Sequence, residues 1–477
     1  MAYSFTRTDI NLYLKEITKF IDSINKPVKV SFKHPGNIED CNGILDFRNN
    51  EAVIQLEADP FVSHIWSVGK VLKRSYVSWG GYSAQIKNLF VDKLSTDTGI
   101  TASSQQLSSS GFVTKKRYYR LIIPVEKSIN FHHYINHSAY ESDFGIISST
   151  CVKAVIEEVT VIAYYFNDRE GNCFLGLEIK RILDFDDFCD KTFALKNALG
   201  YLLGKMEGNV GYFFTYTNRR MEHFTAFRFQ SFRATISTIY TPINSNPFAY
   251  IRHRRIIAEK LYKAKTLCPL SEQQLSLLTS KLYSSGEFTS VVMLIMECGE
   301  ASLLFRPGGY AIALEAISDI ITDDLKSNLK PIPDKALARK LIKDLKGKLK
   351  EYEPIVSIDG YKTVEGRIEY INQPTNKARL LAPFTALGIK LLEEDMKILN
   401  TRNDFLHGRI PDLSNLGNDR PDSIKNNEMY YASIRLYTLL NMLIMKWIGF
   451  DNYVINYPKI HEKFCKIKLK EPYYRKV

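Results

Sequence analysis

Arg402-Asn403-Asp404-Phe405-Leu406-His407-Gly408 is the stretch on which the reading of this chain turns. It closes a segment striped with apolar residues at helical spacing, so it reads as the last turn of a helix. Gly408 suits the left-handed position beyond a helix end and Pro411 follows it, so the helix stops at His407. Five residues on a regular helix span about 140° around the axis, so Arg402 and His407 do not share a face. Asn403 and His407, four apart, do. Arg402 therefore meets His407 either near a frayed helix end or in a second copy across a two-fold interface.

Outward from this stretch the pattern stays helical. Apolar periodicity predicts helices over 272–283, 289–298, 310–325, 334–352, 384–407 and 428–448. The segment 411–427, with Gly417, Pro421 and several Asn and Asp residues, reads as a solvated, flexible loop. Residues 1–245 read differently. Val28 to Phe32 alternates with period two, and the runs 41–47 and 52–56 flank an Arg48-Asn49-Asn50-Glu51 turn, a hairpin signal. Further strands are expected near 118–124, 152–165, 173–179, 210–217 and 222–229, with one helix over 191–206. The Ser-, Thr- and Gly-rich stretch 97–111 reads as a loop. Pro242, Asn244, Asn246 and Pro247 mark the change of character. The expected fold class is α+β: a β-rich domain over 1–245, then a helical domain over 246–477 whose bundle core occupies about 305–465.

With 477 residues, more than one domain is expected. The formal net charge of +12 favours a polyanionic partner without specifying it. Seven scattered cysteines offer no Cys-x2-Cys pair, so neither a zinc ribbon nor a redox motif is suggested, and the odd count suits a reducing cytoplasm. The N-terminus lacks the apolar core of a signal peptide. The most apolar stretch, 436–450, is interrupted by Asn441 and Lys446 and reads as a buried helix rather than a membrane span. There is no Gly-x4-Gly-Lys-Ser/Thr phosphate loop, so nucleotide hydrolysis is not supported. The expected location is cytoplasmic, with no membrane partner.

Chemically, a guanidinium and an imidazole suffice to cut RNA without a metal. The histidine can move the proton of a ribose 2′-hydroxyl or of the leaving oxygen, and the arginine can hold the phosphate as charge builds on it. An Arg-x4-His spacing alone is weak, with on the order of half a match expected by chance, so its context decides. That context is Gly309 to Ala316, Asn376 to Leu380, Pro383 to Ile389, the acidic Glu393-Glu394-Asp395, the motif itself, and Ile448 to Tyr453. Together these resemble the HEPN superfamily, specifically the ApeA-like HEPN domains of bacterial anti-phage proteins. The family signature, Arg-Asn/His-x3-His near a helix end, is matched by Arg402, Asn403 and His407. The N-terminal half shares only the Gly43-Ile44-Leu45 hairpin. The resemblance implies a metal-independent endoribonuclease without cofactor, acting on RNA, by analogy tRNA. It further implies a homodimer formed through the HEPN domain and a toxin-like role in abortive infection. His407 would act as general acid or base, Arg402 would hold the phosphate and Asn403 would position them. A β-rich domain sensing an infection cue such as a phage protein would restrain the nuclease. The alternative is a non-catalytic HEPN module that binds RNA or scaffolds a defence complex.

Supporting candidates follow from position. Glu315 lies within an apolar stripe, either as a helix-surface carboxylate or paired with Arg402. Asp404 either pairs with Arg402 or a base, or is structural. Arg409, just past the motif, is a phosphate contact or a solvated cation. In the basic segment 335–350, Leu337, Leu341, Leu345 and Leu349 are expected to bury one face, leaving Lys340 and Lys343 solvated or tracking RNA. The run Phe224 to Arg233 interleaves aromatics with Arg228 and Arg233, which either stack on RNA or fill a core. His132, His133 and His137 lack the acidic or thiol partners of a zinc set.

Overall fold

The computed structural model describes residues 7–24, 26–35, 41–48, 50–57, 66–95, 99–142, 145–168, 170–326, 329–414, 416–417 and 419–477. Residues 1–6, Asn49 of the expected hairpin turn, 97 and 98 of the expected loop, and 415 and 418 lie outside the described residues. The chain is mixed α/β, with a β-rich N-terminal region containing a closed barrel and a helical C-terminal region. It divides into two compact units, Met1–Thr289 and Ser290–Val477.

The first unit opens with helix α1 (Arg7–Ile24), for which no expectation was drawn. Its Leu14, Ile17, Phe20, Ile21 and Ile24 are buried at helical spacing. Strands β1 (Val28–Lys33), β2 (Cys41–Arg48), β3 (Glu51–Leu56), β4 (Val71–Trp79), β5 (Tyr82–Ser95) and β6 (Gly99–Ser104) follow. Val30 and Phe32 are buried while Lys29, Ser31 and Lys33 are exposed, the expected alternation. Because β4 pairs with both β1 and β5, the order β4-β1-β2-β3-β6-β5 closes into a six-stranded barrel. The sheet continues from β5 through β7 (Gln106–Ser109) to strands contributed later in the chain. These are β8 (Arg117–Val125), β9 (Ser138–Ser142), β10 (Gly145–Ile156), β11 (Val159–Asn167) and β12 (Cys173–Leu183), then, after helix α2 (Phe185–Leu203) and the short β13 (Lys205–Met206), β14 (Val210–Tyr216) and β15 (Ala226–Ser231). The short β16 (Ile236–Ser237) pairs with β13.

One expectation needs correction here, and one boundary is placed differently by the compact units. The stretch read as a loop over 97–111 holds β6 and β7. Its alternation is carried by small residues, with Ile100, Ala102 and Leu107 buried, and the buried Ser104 hydroxyl donates to Lys87 O at 2.6 Å. The first compact unit runs to Thr289, past the 245 expected to end the β-rich domain. Helices α3 (Phe248–Ile251), α4 (Arg255–Lys263) and α5 (Glu272–Ser284) belong to the first unit. The reason is visible in α5, which packs on β10 and α2: Val155 N donates to Ser276 Oγ at 2.9 Å, and Lys191 Nζ donates to Tyr283 Oη at 2.9 Å.

Helix α6 (Gly286–Glu300) leads into the second unit. There α7 (Arg306–Asp324) and the 26-residue α12 (Asp422–Trp447) pack along one another, and α10 (Asn376–Ala386) and α11 (Glu393–Leu406) also pack on α7. Tyr310, Leu314, Ile317 and Ile321 of α7, Ile398 and Leu399 of α11, and Leu436, Leu440, Leu443 and Ile444 of α12 form the core. Helices α8 (Lys335–Lys350) and α9 (Ile358–Glu369) lie against each other. After α12 come β17 (Tyr453–Ile455), α13 (Tyr457–Ile460) and β18 (Tyr474–Lys476), the two strands pairing. The helix expected over 384–407 is not continuous: it covers only the last three residues of α10, then breaks where Gly388 takes φ +68°, a left-handed conformation that glycine adopts without penalty, and resumes as α11, while most of α10 was not expected. Among the described residues, no helix is long and apolar enough to cross a membrane.

Candidate functional site

Helix α11 is clamped at its start. Asp395 is fully buried and accepts hydrogen bonds from Arg435 Nη1 at 2.9 Å, from Arg475 Nη2 at 2.7 Å and from Leu392 N at 2.8 Å. Burial alone would raise the Asp395 pKa, but the Arg475 and Arg435 guanidinia outweigh it and hold the carboxyl below its ordinary value. Two helical turns onward, on the same face, lies Arg402.

Arg402 is 5% exposed, unusual for an arginine. Its Nε donates to Glu315 Oε1 of α7 at 2.9 Å, and its Nη1 reaches Leu399 O at 3.4 Å. Of the two placements open to Glu315, the structure shows the pair with Arg402. Both residues line a small open cleft of ≈ 100 Å³, together with Ser318, Asp319, Asn376, Arg379 and Leu380.

The end of α11 forms as expected. Gly408 has φ +68°, Gly408 N donates to Phe405 O at 3.1 Å, and Arg409 N donates to Asp404 O at 2.7 Å. These two bonds satisfy carbonyls that the helix end would otherwise leave open. His407 occupies the cap position with φ −97° and is exposed, as are Asn403 and Arg409, while Asp404 is half-buried. The structure therefore joins Arg402 to Glu315 but does not place His407 or Asn403 among the residues lining the Arg402 cleft.

The segment after the motif departs from expectation. Instead of a freely solvated loop over 411–427, Arg420 is 4% exposed and ties the chain down. Its Nε donates to Glu428 Oε2 at 2.7 Å and its Nη2 to Ile410 O at 3.2 Å and Pro411 O at 2.8 Å. Asp412 accepts from the Leu416 and Gly417 amides, and α12 begins at Asp422 rather than 428. Arg420 thus fixes the chain within three residues of His407. Its only sequence signal was a lone arginine in a Pro/Asn/Asp-rich stretch.

The remaining candidates are placed as follows. Lys340 and Lys343 are exposed on α8, but the expected apolar face is not buried: Leu337 is 56% and Leu341 36% exposed, and Ala338 is the buried residue of this helix. A leucine every fourth residue made the stripe, yet α9 does not cover its first half. Arg228 lies against the rings of Phe112 and Phe185, at 4.2 and 4.5 Å, and donates to Ser108 Oγ. Its burial lowers its pKa. Phe227 and Phe229 are buried, so the aromatic run fills a core and Arg228 is committed there; Arg233 is exposed. His133 contacts Ser245 Oγ at 3.3 Å, and no group of three or more His, Cys, Asp or Glu side chains among the described residues is arranged to hold a metal.

The chain matches no family model, no curated protein and no solved structure.

Proposed function

We propose that this chain is a metal-independent endoribonuclease of the HEPN type, acting as an anti-phage effector. The observation that carries the reading is Arg402: a nearly buried guanidinium, oriented by Glu315 on the wall of an open cleft, on the same helix whose capped end presents the His407 imidazole to solvent. Burial makes such a guanidinium a strong anchor for a phosphate, because it is pre-oriented and shielded from water. The ribose 2′-hydroxyl would attack its own phosphorus and the 5′-oxygen would leave with a proton, giving a cyclic phosphate. An imidazole serves either proton transfer. Within one chain the cleft is not lined by His407, so the imidazole is supplied by a second copy across a two-fold axis. RNA, by analogy tRNA, is the substrate, and the β-rich unit holds the enzyme to a basal rate that engagement of a phage component raises.

The same separation of Arg402 from His407 favours the second reading, an RNA-holding HEPN scaffold that never cuts. Incubating the full chain with total RNA in a chelator separates the two. Cleavage should proceed, leave cyclic phosphate ends, and fall by about 10²–10⁴ in His407→Ala. Intact RNA after incubation with the wild type selects the scaffold.

A further inference from the structure

The Arg402 cleft contains more than Arg402. Opposite it, Arg379 of α10 pairs with Asp319 of α7 at 2.8 Å, so two guanidinium–carboxylate pairs border one space. Between Glu315 and Asp319 on the same helix is Ser318, which is 1% exposed and whose hydroxyl makes no hydrogen bond. A buried hydroxyl without a partner costs about 1–3 kcal/mol, so its retention beside a cleft calls for an acceptor that arrives from outside. The 11-residue α10 begins here as well: Asn376, its first residue, lines the cleft, and Thr375 caps it by accepting from Ala378 N at 3.1 Å. The first-turn amides of a helix favour an anion.

The unspent groups are donors. Arg402 Nη2 has no hydrogen-bond partner among the described residues, and Arg379 is engaged only through Nη2. Glu315 and Asp319 each turn one oxygen to an arginine, so each carboxylate is neutralised by the guanidinium it faces. An anion entering the cleft would find the remaining guanidinium hydrogens, the Ser318 hydroxyl and Asn376 at the start of α10.

We propose that Arg379, Ser318 and the start of α10 form, beside the Arg402 guanidinium that holds the phosphate to be cut, a site for a second, adjacent phosphodiester of the bound RNA strand. Asp319 occupies Arg379 in the free chain and competes with the phosphate for it. This rests on the ribonuclease reading for the identity of the strand, but it is measured without cleavage.

The test uses the full-length chain and a short single-stranded RNA carrying 2′-O-methyl riboses, which cannot be cut by 2′-attack, with binding followed by fluorescence anisotropy across a salt series. Arg379→Gln should weaken binding by about tenfold and flatten the dependence of log affinity on log salt by about 0.7, one single-strand phosphate contact. Arg379→Lys should keep the salt slope. Asp319→Asn should tighten binding by removing the competing carboxylate, an effect opposite to the one a purely structural ion pair would give. On cleavable RNA, Arg379→Gln should raise KM with little change in kcat. The proposal is overturned if Arg379→Gln leaves affinity and salt slope unchanged, if Asp319→Asn weakens binding, or if the wild type does not bind the strand. A wild type that binds in an Arg379-dependent way yet never cuts would retire the nuclease reading and leave this site standing. Cleavage with an Arg379-independent KM would do the reverse.

Discussion

At the scale of single residues, what could be read in advance was chemistry at fixed spacing. Arg402 and His407 announce themselves because a helix stop lies beside them, and Gly408 does adopt the left-handed conformation that stop requires. Arg379, Ser318 and Arg420 could not be singled out. An arginine, a serine and a loop arginine acquire meaning only from what surrounds them, and those neighbours come from other helices. His461 is a further case, an ordinary histidine in sequence that lies stacked on Tyr457, with the Tyr430 ring edge-on. Burial lowers its pKa from the usual 6.5. The unfolded chain therefore takes up the proton near the usual value, whereas the folded chain resists it until lower pH. The stability contributed by the neutral ring is intact above pH 6.5 and drains away as the pH falls through that value toward the folded pKa. Melting temperature should drop by a few degrees between about pH 7.5 and 5.5, and His461→Phe should flatten part of that slope. His133, also lowered by burial, supplies a same-signed remainder.

At the scale of elements, the sequence pattern located helices better than it described their surroundings. Periodicity marked α7, α8 and α12 to within a turn or so at most ends, but it missed α9 and most of α10 and ran the end of α10 into α11, because Gly388 inside an apolar stretch is compatible with a helix until the chain is seen to turn there. It also overrated α8, whose leucine stripe is real and yet partly exposed. What sets the register of α11 is electrostatic, and it depends on residues 40 and 80 positions away in the chain: Asp395 bridging Arg435 and Arg475. Removing one member of a buried ion cluster leaves charge without compensation, at a cost of about 3–5 kcal/mol. Asp395→Ala should lose about that much in denaturant unfolding. It should also lose RNA cleavage, because Arg402 lies two turns along the helix that this cluster pins. Cleavage at the wild-type rate in a demonstrably folded Asp395→Ala chain would show that α11 keeps its position without the clamp.

At the scale of the whole molecule, local patterns suggested a β-rich beginning and a helical end, but not the closure of the barrel. Closure depends on β4 pairing with β1 as well as β5, a non-local choice that no window of sequence contains. The first compact unit extends past 245 for a related reason, since helices between 248 and 284 have the pattern of the helical domain but cluster with the sheet. On the proposed ribonuclease reading, one copy of the chain is chemically incomplete. Arg402 is turned into the cleft while His407 stands exposed beyond the helix end, and five residues of helix separate their directions by about 140°. If a two-fold mate supplies the imidazole, the two defects can be placed on different chains. Arg402→Ala and His407→Ala should each be inactive alone. Mixed in equal amounts under conditions that allow subunit exchange, half the dimers are hybrids, and each hybrid keeps one intact site of two, so cleavage should return to about a quarter of the wild-type rate. A site built within one chain gives no rescue, because every copy then carries a broken site. Recovery near a quarter would therefore show that the site is shared between two copies, and its absence in exchanged dimers would overturn the shared site.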